Sequence, residues 1–392
     1  MGHHLGSKDS IVPLIDRLNK YPVGLVDNEK LREILALLFD EQEAFIASCF
    51  PLEEATLPEL VRATGIAAPA LTPLLDKMAD KGLVMDMPYG GKTYYLLMPG
   101  LIGFFEFTFM KNRADLPLAE LARLMAEYMY ENPQIGQASE FFGSKTSLTR
   151  SLVYADQIPV SSTVTSYEDA RQIIESSSFG AVGMCYCRHK KEHLDATCAK
   201  GAPVENICIS LGSAARFMAR RGFAREQSKA ELLAILDTAR THNLTHITDN
   251  IRHQPSFICN CCSCCCELML GSQAGYQDGI GKTPFLAQVD KDACNGCGLC
   301  FAACNVKALT PASCSEKAAR YADLDEPACL GCGACIPVCK CGALSLVERA
   351  ERPLPPEKRR DMLKAILKEK GRLKPYVISG IKKKLRRLLP GS

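Results

Sequence analysis

Two stretches decide how this chain is read: Cys294-Asn295-Gly296-Cys297-Gly298-Leu299-Cys300-Phe301-Ala302-Ala303-Cys304 and Cys329-Leu330-Gly331-Cys332-Gly333-Ala334-Cys335-Ile336-Pro337-Val338-Cys339. Both follow Cys-x2-Cys-x2-Cys-x3-Cys. Their flanks repeat too: Val289-Asp290-Lys291-Asp292-Ala293 precedes the first run and Leu324-Asp325-Glu326-Pro327-Ala328 the second, while Lys307-Ala308-Leu309 and Gly342-Ala343-Leu344 follow. The repeats are offset by 329 − 294 = 35 residues.

A [4Fe–4S] cube needs four thiolates. Three cysteines two residues apart wrap a loop around three irons, and a cysteine four residues further on starts a helix leading away, so the fourth thiolate of each run serves the other cluster. This spacing assigns Cys294, Cys297, Cys300 and Cys339 to one cluster and Cys329, Cys332, Cys335 and Cys304 to a second. Gly296, Gly298, Gly331 and Gly333 would let backbone amides approach the cluster sulfurs. The segment 289–347 resembles a bacterial-type two-cluster ferredoxin. It departs from that family by carrying Asn305 and Lys340, not proline, after the fourth cysteines. Lys340, between Cys339 and Cys341, would raise the potential of a neighbouring cluster. A zinc ribbon would show Cys-x2-Cys pairs instead.

The 392 residues hold 21 cysteines. Eight lie in these runs, ten in a second set, and only Cys49, Cys314 and Cys341 stand apart. Such clustering reads as metal ligation in a reducing compartment, not as a disulfide framework. The polar start at Met1-Gly2-His3-His4 shows no secretory apolar core. Leu101–Met110 is too short for a membrane span and contains Glu106. A cytoplasmic protein, at most peripheral at a membrane, is expected. The net charge of +3 hides an asymmetry: residues 351–392 carry 14 Lys/Arg and 4 Asp/Glu, or +10, leaving 3 − 10 = −7 for the rest. An acidic body with a basic tail is a layout for docking.

The expected fold class is α+β and multidomain: an arm (1–27), a winged-helix-like domain (28–110), a helical connector (111–160), a cysteine-rich α/β domain (161–288), the ferredoxin-like domain (289–350) and a basic amphipathic tail (351–392). Glu29–Phe50 carries Leu31, Ile34, Leu35, Leu38, Phe45 and Ile46 at helical spacing. Thr56-Leu57-Pro58-Glu59 is a capping box for a helix ending at Gly65. A helix over about Ala68–Lys81 follows. Leu83–Met87 and Thr93–Leu97 form a hairpin about Tyr89-Gly90-Gly91. Helix–turn–helix plus hairpin resembles the MarR/ArsR-like winged-helix fold. DNA binding is disfavoured, because Lys77 and Lys81 are offset by Asp76 and Asp80 and residues 28–100 hold six basic and eleven acidic side chains, net −5, the wrong sign for phosphate. Protein docking fits better. In the connector, Leu118, Leu121, Leu124, Met125 and Met129 mark a core-facing helix.

In the central region a helix is expected from Ser166–Asp169 to Ser176, a buried strand over Phe179–Cys187, strands at Ile207–Leu211, Thr245–Thr248 and Phe257–Cys259, and helices over Ser213–Arg221 and Lys229–His242. The cysteines are Cys185, Cys187, Cys198 and Cys208, then Cys259, Cys261, Cys262, Cys264, Cys265 and Cys266. So many thiols imply ligation. Adjacent cysteines in extended backbone face opposite ways, so Cys261 and Cys262, or Cys265 and Cys266, could serve different centres. The supply suits two further [4Fe–4S] clusters, four in all. Zinc, with His189, His193, His246 or His253 as further ligands, and an unusual or catalytic cluster stay open. The Cys-Asn-Cys-Cys-x-Cys-Cys-Cys run is similar to one in poorly characterised iron–sulfur proteins of anaerobes that also carry a ferredoxin segment. Arg188, Lys190, Lys191, Arg216, Arg220 and Arg221 make a basic region, either a solvated face or a screen for cluster charge or an acidic donor.

In the tail, Lys358–Lys370 places Met362, Leu363, Ile366 and Leu367 on one side, and Val377–Leu389 sets Ile381, Leu385 and Leu388 against Lys382, Lys383, Lys384, Arg386 and Arg387. Such a segment suits an anionic membrane surface or an acidic partner, with a disordered, solvated tail as the alternative. No glycine-rich nucleotide loop or catalytic triad stands out. The expected function is electron transfer through several [4Fe–4S] clusters between a donor and an acceptor in anaerobic metabolism, as a non-catalytic component of an oxidoreductase system. A cluster-based DNA-binding redox sensor and a reductase with a catalytic central cluster are the alternatives.

Overall fold

The computed structural model describes residues 8–132, 134–158, 165–312, 321–374 and 376–378. The chain divides into two compact units: one of residues up to 144 with 220–223 and those from 363 on, the other of 145–219 and 224–362.

In the first unit, α1 (Lys8–Leu18) runs through Pro13 and buries Leu14, Ile15 and Leu18. The stretch expected to be helical over Glu29–Phe50 is two helices, α2 (Glu29–Leu38) and α3 (Glu41–Cys49). The break has a local cause: Phe39 is extended, and Asp40 and Glu43 make a reciprocal capping box that starts α3 afresh. A short strand β1 (Ala55–Thr56) leads into α4 (Leu57–Thr64), which Gly65 ends in the left-handed region, and α5 (Ala68–Asp80) follows. Strands β2 (Val84–Tyr89) and β3 (Lys92–Leu97) form a hairpin that β1 extends into an antiparallel sheet ordered β1-β3-β2. Helices α6 (Phe105–Thr108), α7 (Leu118–Tyr130) and α8 (Gln137–Phe142) complete this part, α7 burying the expected Leu118, Leu121, Leu124, Met125 and Met129.

The second unit is built on a seven-stranded sheet. Its strands are β4 (Thr149–Ser151), β5 (Gly180–Gly183), β6 (Cys208–Leu211), β7 (Ala224–Glu226), β8 (Thr245–Asp249), β9 (Phe257–Cys261) and β10 (Ile280–Gly281). They lie in the order β10-β4-β8-β9-β6-β5-β7. The alternation of helices and strands invites a parallel α/β reading, yet every described ladder of this sheet is antiparallel except β10–β4. Helices α9 (Ala170–Ser176), α10 (Tyr186–Glu192), α11 (Gly212–Arg220), α12 (Lys229–Thr241) and α13 (Glu267–Gln273) connect the strands. The strand expected over Phe179–Cys187 ends at Gly183, and Cys187 sits on α10 instead. Helix α12 begins at the Ser228/Glu231 capping box. The repeat segment contributes the pair β11 (Phe285–Val289) with β14 (Leu344–Glu348), the helix α14 (Leu299–Ala303) and the pair β12 (Leu309–Pro311) with β13 (Ala322–Leu324). One core runs through the unit: the central cysteines and those of the repeats share a single buried cluster with Ile207, Ile247, Leu309 and Leu344.

Helix α15 (Arg359–Glu369) buries Met362, Ile366 and Leu367 of the expected apolar side and leaves Leu363 half-buried. Most of Val377–Leu389, and Cys314, lie outside the described residues. Among the described residues no helix is long and apolar enough to cross a membrane.

Candidate metal centres

The repeat cysteines line two cavities. Cys304, Cys329, Cys332 and Cys335 surround one, together with Thr245 of β8. Cys294, Cys297, Cys300 and Cys339 surround the other, joined by Cys341. In each, three thiols of one run meet the last thiol of the other run. The loops hold this shape through left-handed glycines. Gly331, at φ +69°, lies so close to the β11 backbone that a Cβ there would stand 2.0 Å from the Phe285 carbonyl oxygen.

The two cavities differ in access. Cys329 and Cys335 are buried around the first, whereas Cys297 and Cys341 are exposed at the second. They are called inner and outer below. Donors already point at the thiols. Ala308 N–H reaches Cys304 Sγ at 3.2 Å, Thr245 Oγ1 reaches Cys332 Sγ at 3.5 Å, and Ala322 N–H reaches Cys294 Sγ at 3.4 Å. Such donors stabilise anionic sulfur. Burial pushes the Cys332 and Cys300 thiols up to about 11, so a metal that ligates them must displace their protons.

The ten central thiols separate into two groups. Six form a closed ring of side-chain neighbours, Cys185–Cys187–Cys266–Cys261–Cys259–Cys208 and back to Cys185. The other four, Cys198, Cys262, Cys264 and Cys265, make a nest whose sulfurs all lie within 4.8 Å of one another. Cys261 and Cys262 fall in different groups, as do Cys265 and Cys266. The sheet brings the ring together: Cys208 opens β6, while Cys259 and Cys261 share one side of the adjacent β9.

Arg188 is the buried cation shared by both groups. It is 1% exposed, its guanidinium donates to the Pro203 and Asn260 carbonyls, and its Nε has no partner. A guanidinium so buried needs anions nearby. Burial alone would lower its pKa, but the charges of Cys185, Cys262 and Cys208 outweigh that and raise it. Arg188 therefore offers one buried positive charge to both groups, through Cys185 and Cys208 of the ring and Cys262 of the nest. Four more residues of the expected basic region are engaged. Lys190 binds Glu267, Arg216 lies over the Phe179 ring, and Arg220 and Arg221 bind Asp86.

The candidate histidines are placed apart from the nest, which includes none of them. His246 Nδ1 donates to Asn260 Oδ1 at 2.6 Å and its ring packs on Tyr154. His253 lies 3.9 Å from Glu357, and His189 of α10 meets His193, the residue that caps that helix, at 3.2 Å. Sequence reasoning missed Arg188 as a buried residue and Thr245 as a thiol donor. Nothing local in Cys187-Arg188-His189 marks the arginine as buried, because its environment comes from β6, β9 and the nest.

Residues 293–343 match a 4Fe–4S dicluster domain. With the cysteine groups beside it, this makes the chain an iron–sulfur protein. No curated protein matches the chain, and no solved structure matches it.

Proposed function

We propose that this chain is an electron-transfer protein or subunit that takes electrons from one redox partner in anaerobic metabolism and delivers them to another. The observation that carries the reading is the run of thiol-lined centres inside one core: outer cavity, inner cavity and six-thiol ring share it. Cys294, Cys297, Cys300 and Cys339 would hold one [4Fe–4S] cluster, Cys304, Cys329, Cys332 and Cys335 a second, and the ring a third. Such clusters supply one-electron storage at low potential. The chain's own residues set the environment: amides of Ala308 and Ala322 and the Thr245 hydroxyl donate to ligand sulfurs, and Arg188 and Lys200 add positive charge nearby. The exposed rim at Cys297, Lys340 and Cys341 is where a partner would approach.

The first unit, read as a winged helix, serves protein docking in this account. Lys77 of α5 and Lys81 at its C-cap are both ion-paired: each binds Glu43, and Lys77 also binds Asp40. Asp76 and Asp80 are held by Arg221. Little charge is left on α5 to meet phosphate.

The test is a reductive titration of anaerobically purified protein followed by EPR. The reading expects two neighbouring reduced clusters with magnetically interacting spectra, which vanish to a single uncoupled signal in Cys332→Ser. It also expects reoxidation by a one-electron acceptor such as methyl viologen. A chain that shows no reducible cluster, or whose reduced clusters do not pass electrons to such an acceptor, would overturn it.

A further inference from the structure

We propose that Cys198, Cys262, Cys264 and Cys265 bind a single tetrahedral metal ion, zinc or mononuclear iron, and not a cluster. The argument is one of size. A tetrathiolate site with metal–sulfur bonds of about 2.3 Å has sulfur–sulfur edges of about 3.8 Å. In the nest, Cys198 and Cys264 stand 3.7 Å apart, Cys264 and Cys265 stand 3.6 Å apart, and all pairs lie within 4.8 Å. A cube sets its four thiolates roughly 6 Å apart, since each sits one bond beyond an iron that is itself displaced from the centre. The nest is too tight for that core.

The same chain supplies the comparison. The eight repeat thiols stand around cavities, and none of them joins a group this close. The ring of six is open as well: its members touch in sequence, yet among the described residues the nest is the only group of three or more such ligands gathered within 4.8 Å. Chain geometry explains the tightness. Cys262, Cys264 and Cys265 follow β9 within four residues, in the turn before α13, and Cys198 closes the fourth corner from the loop after α10. A turn that short can wrap one ion. The positive charges of Arg188 and Lys200, which act on Cys262, offset the −2 that four thiolates leave around a divalent ion.

The site is independent of the electron-transfer reading, because it needs neither acid-labile sulfide nor a change of oxidation state. The test is metal and sulfide analysis of the anaerobically purified full chain, with X-ray absorption at the zinc edge. The proposal expects one zinc per chain with four sulfurs at about 2.3 Å and no neighbouring metal, or, if iron fills the site, one iron in excess over sulfide. In Cys264→Ser this ion is bound at least about tenfold more weakly while sulfide per chain is unchanged. Iron equal to sulfide with no zinc in the wild type would overturn it. So would a Cys264→Ser protein that loses four iron and four sulfide together. Because the absorption and stoichiometry arms use the wild type, a variant that fails to fold leaves the test intact.

Discussion

At the scale of single residues, Gly331 shows how backbone conformation limits the inner cavity. Thr283 Oγ1 donates to the Gly331 carbonyl, Thr283 N–H to that of Leu330, and Phe285 N–H to Thr283 Oγ1, so the 283–285 segment is strapped against the cysteine loop. Alanine at 331 would meet backbone at 2.0 Å besides adopting a left-handed φ. Gly342 shares the left-handed φ of +71° but has nothing within 4 Å of its missing Cβ. Gly331→Ala is therefore expected to cost at least about 3 kcal/mol and to reduce inner-cluster iron, against about 1 kcal/mol for Gly342→Ala. Urea midpoints and iron content of the two variants decide it; equal effects would remove the steric argument. His246 makes a second residue-scale case. Burial drives its pKa down to about 4, although the Asn260 hydrogen bond works against that. The unfolded chain binds this proton in the ordinary histidine range, so the residue's contribution is intact above about pH 6.5 and drains by roughly 3 kcal/mol as pH falls toward 4. Unfolding of the wild type and His246→Gln at pH 7 and pH 5 should show the gap between them narrowing at the lower pH; a constant gap would refute the assignment.

Elements show where reading the sequence succeeds and where it stops. Thr56/Glu59, Ser228/Glu231 and Gly65 mark helix ends by chemistry confined to a few residues: α4 begins and ends there, and α12 begins there. The Asp40/Glu43 box that splits α2 from α3 was equally local, but the apolar spacing across Leu38 and Phe45 masked it. Cys187 reads as part of a strand because Ala181, Val182 and Cys185 form an apolar run; the helix α10 that carries it depends on tertiary packing. Helix α5 is tied down by charge. Arg221 reaches Asp76, Asp80 and Asp86, each at 3.0 Å. Asp86 is mostly buried; burial pushes its carboxyl up, and hydrogen bonds from Arg221 and Arg220 hold it below the usual range. Its contribution is present above about pH 4 and is lost as pH falls through the depressed value. Arg221→Ala should cost about 2–4 kcal/mol at pH 7, because it strands Asp86 with one partner, and markedly less at pH 3. Thermal melts at the two pH values measure this; an equal loss at both would point to lost packing and not charge.

At the scale of the whole molecule, the spacing of Cys294 to Cys339 made the dicluster segment legible from four-residue rules. The partition of the other ten thiols was not legible. It depends on which strand lies beside β9, and register such as Ile209 opposite Ile258 is a long-range outcome that no local pattern encodes. The partition has a consequence for stability. Ten of the 25 buried residues in the second unit's main core are cysteines. With metal these sulfurs are bonded and charge-balanced; without it, the same interior holds Arg188 and Lys200 with no bound anions, around cavities nothing fills. The first unit's only cysteine, Cys49, lies outside its buried core, which rests on Leu31, Ile34, Leu71, Leu75 and Phe104. Stripping metal anaerobically should therefore unfold one unit and spare the other. Hydrogen exchange read by mass spectrometry is expected to show amides of β6, β9 and 294–342 losing protection by at least about a hundredfold, roughly 3 kcal/mol of local stability, while α2, α3 and α5 change little. Uniform loss across the chain would mean that the first unit also draws its stability from the metal, and retained protection in β6 and β9 would mean that the sheet alone suffices to hold the thiols in place.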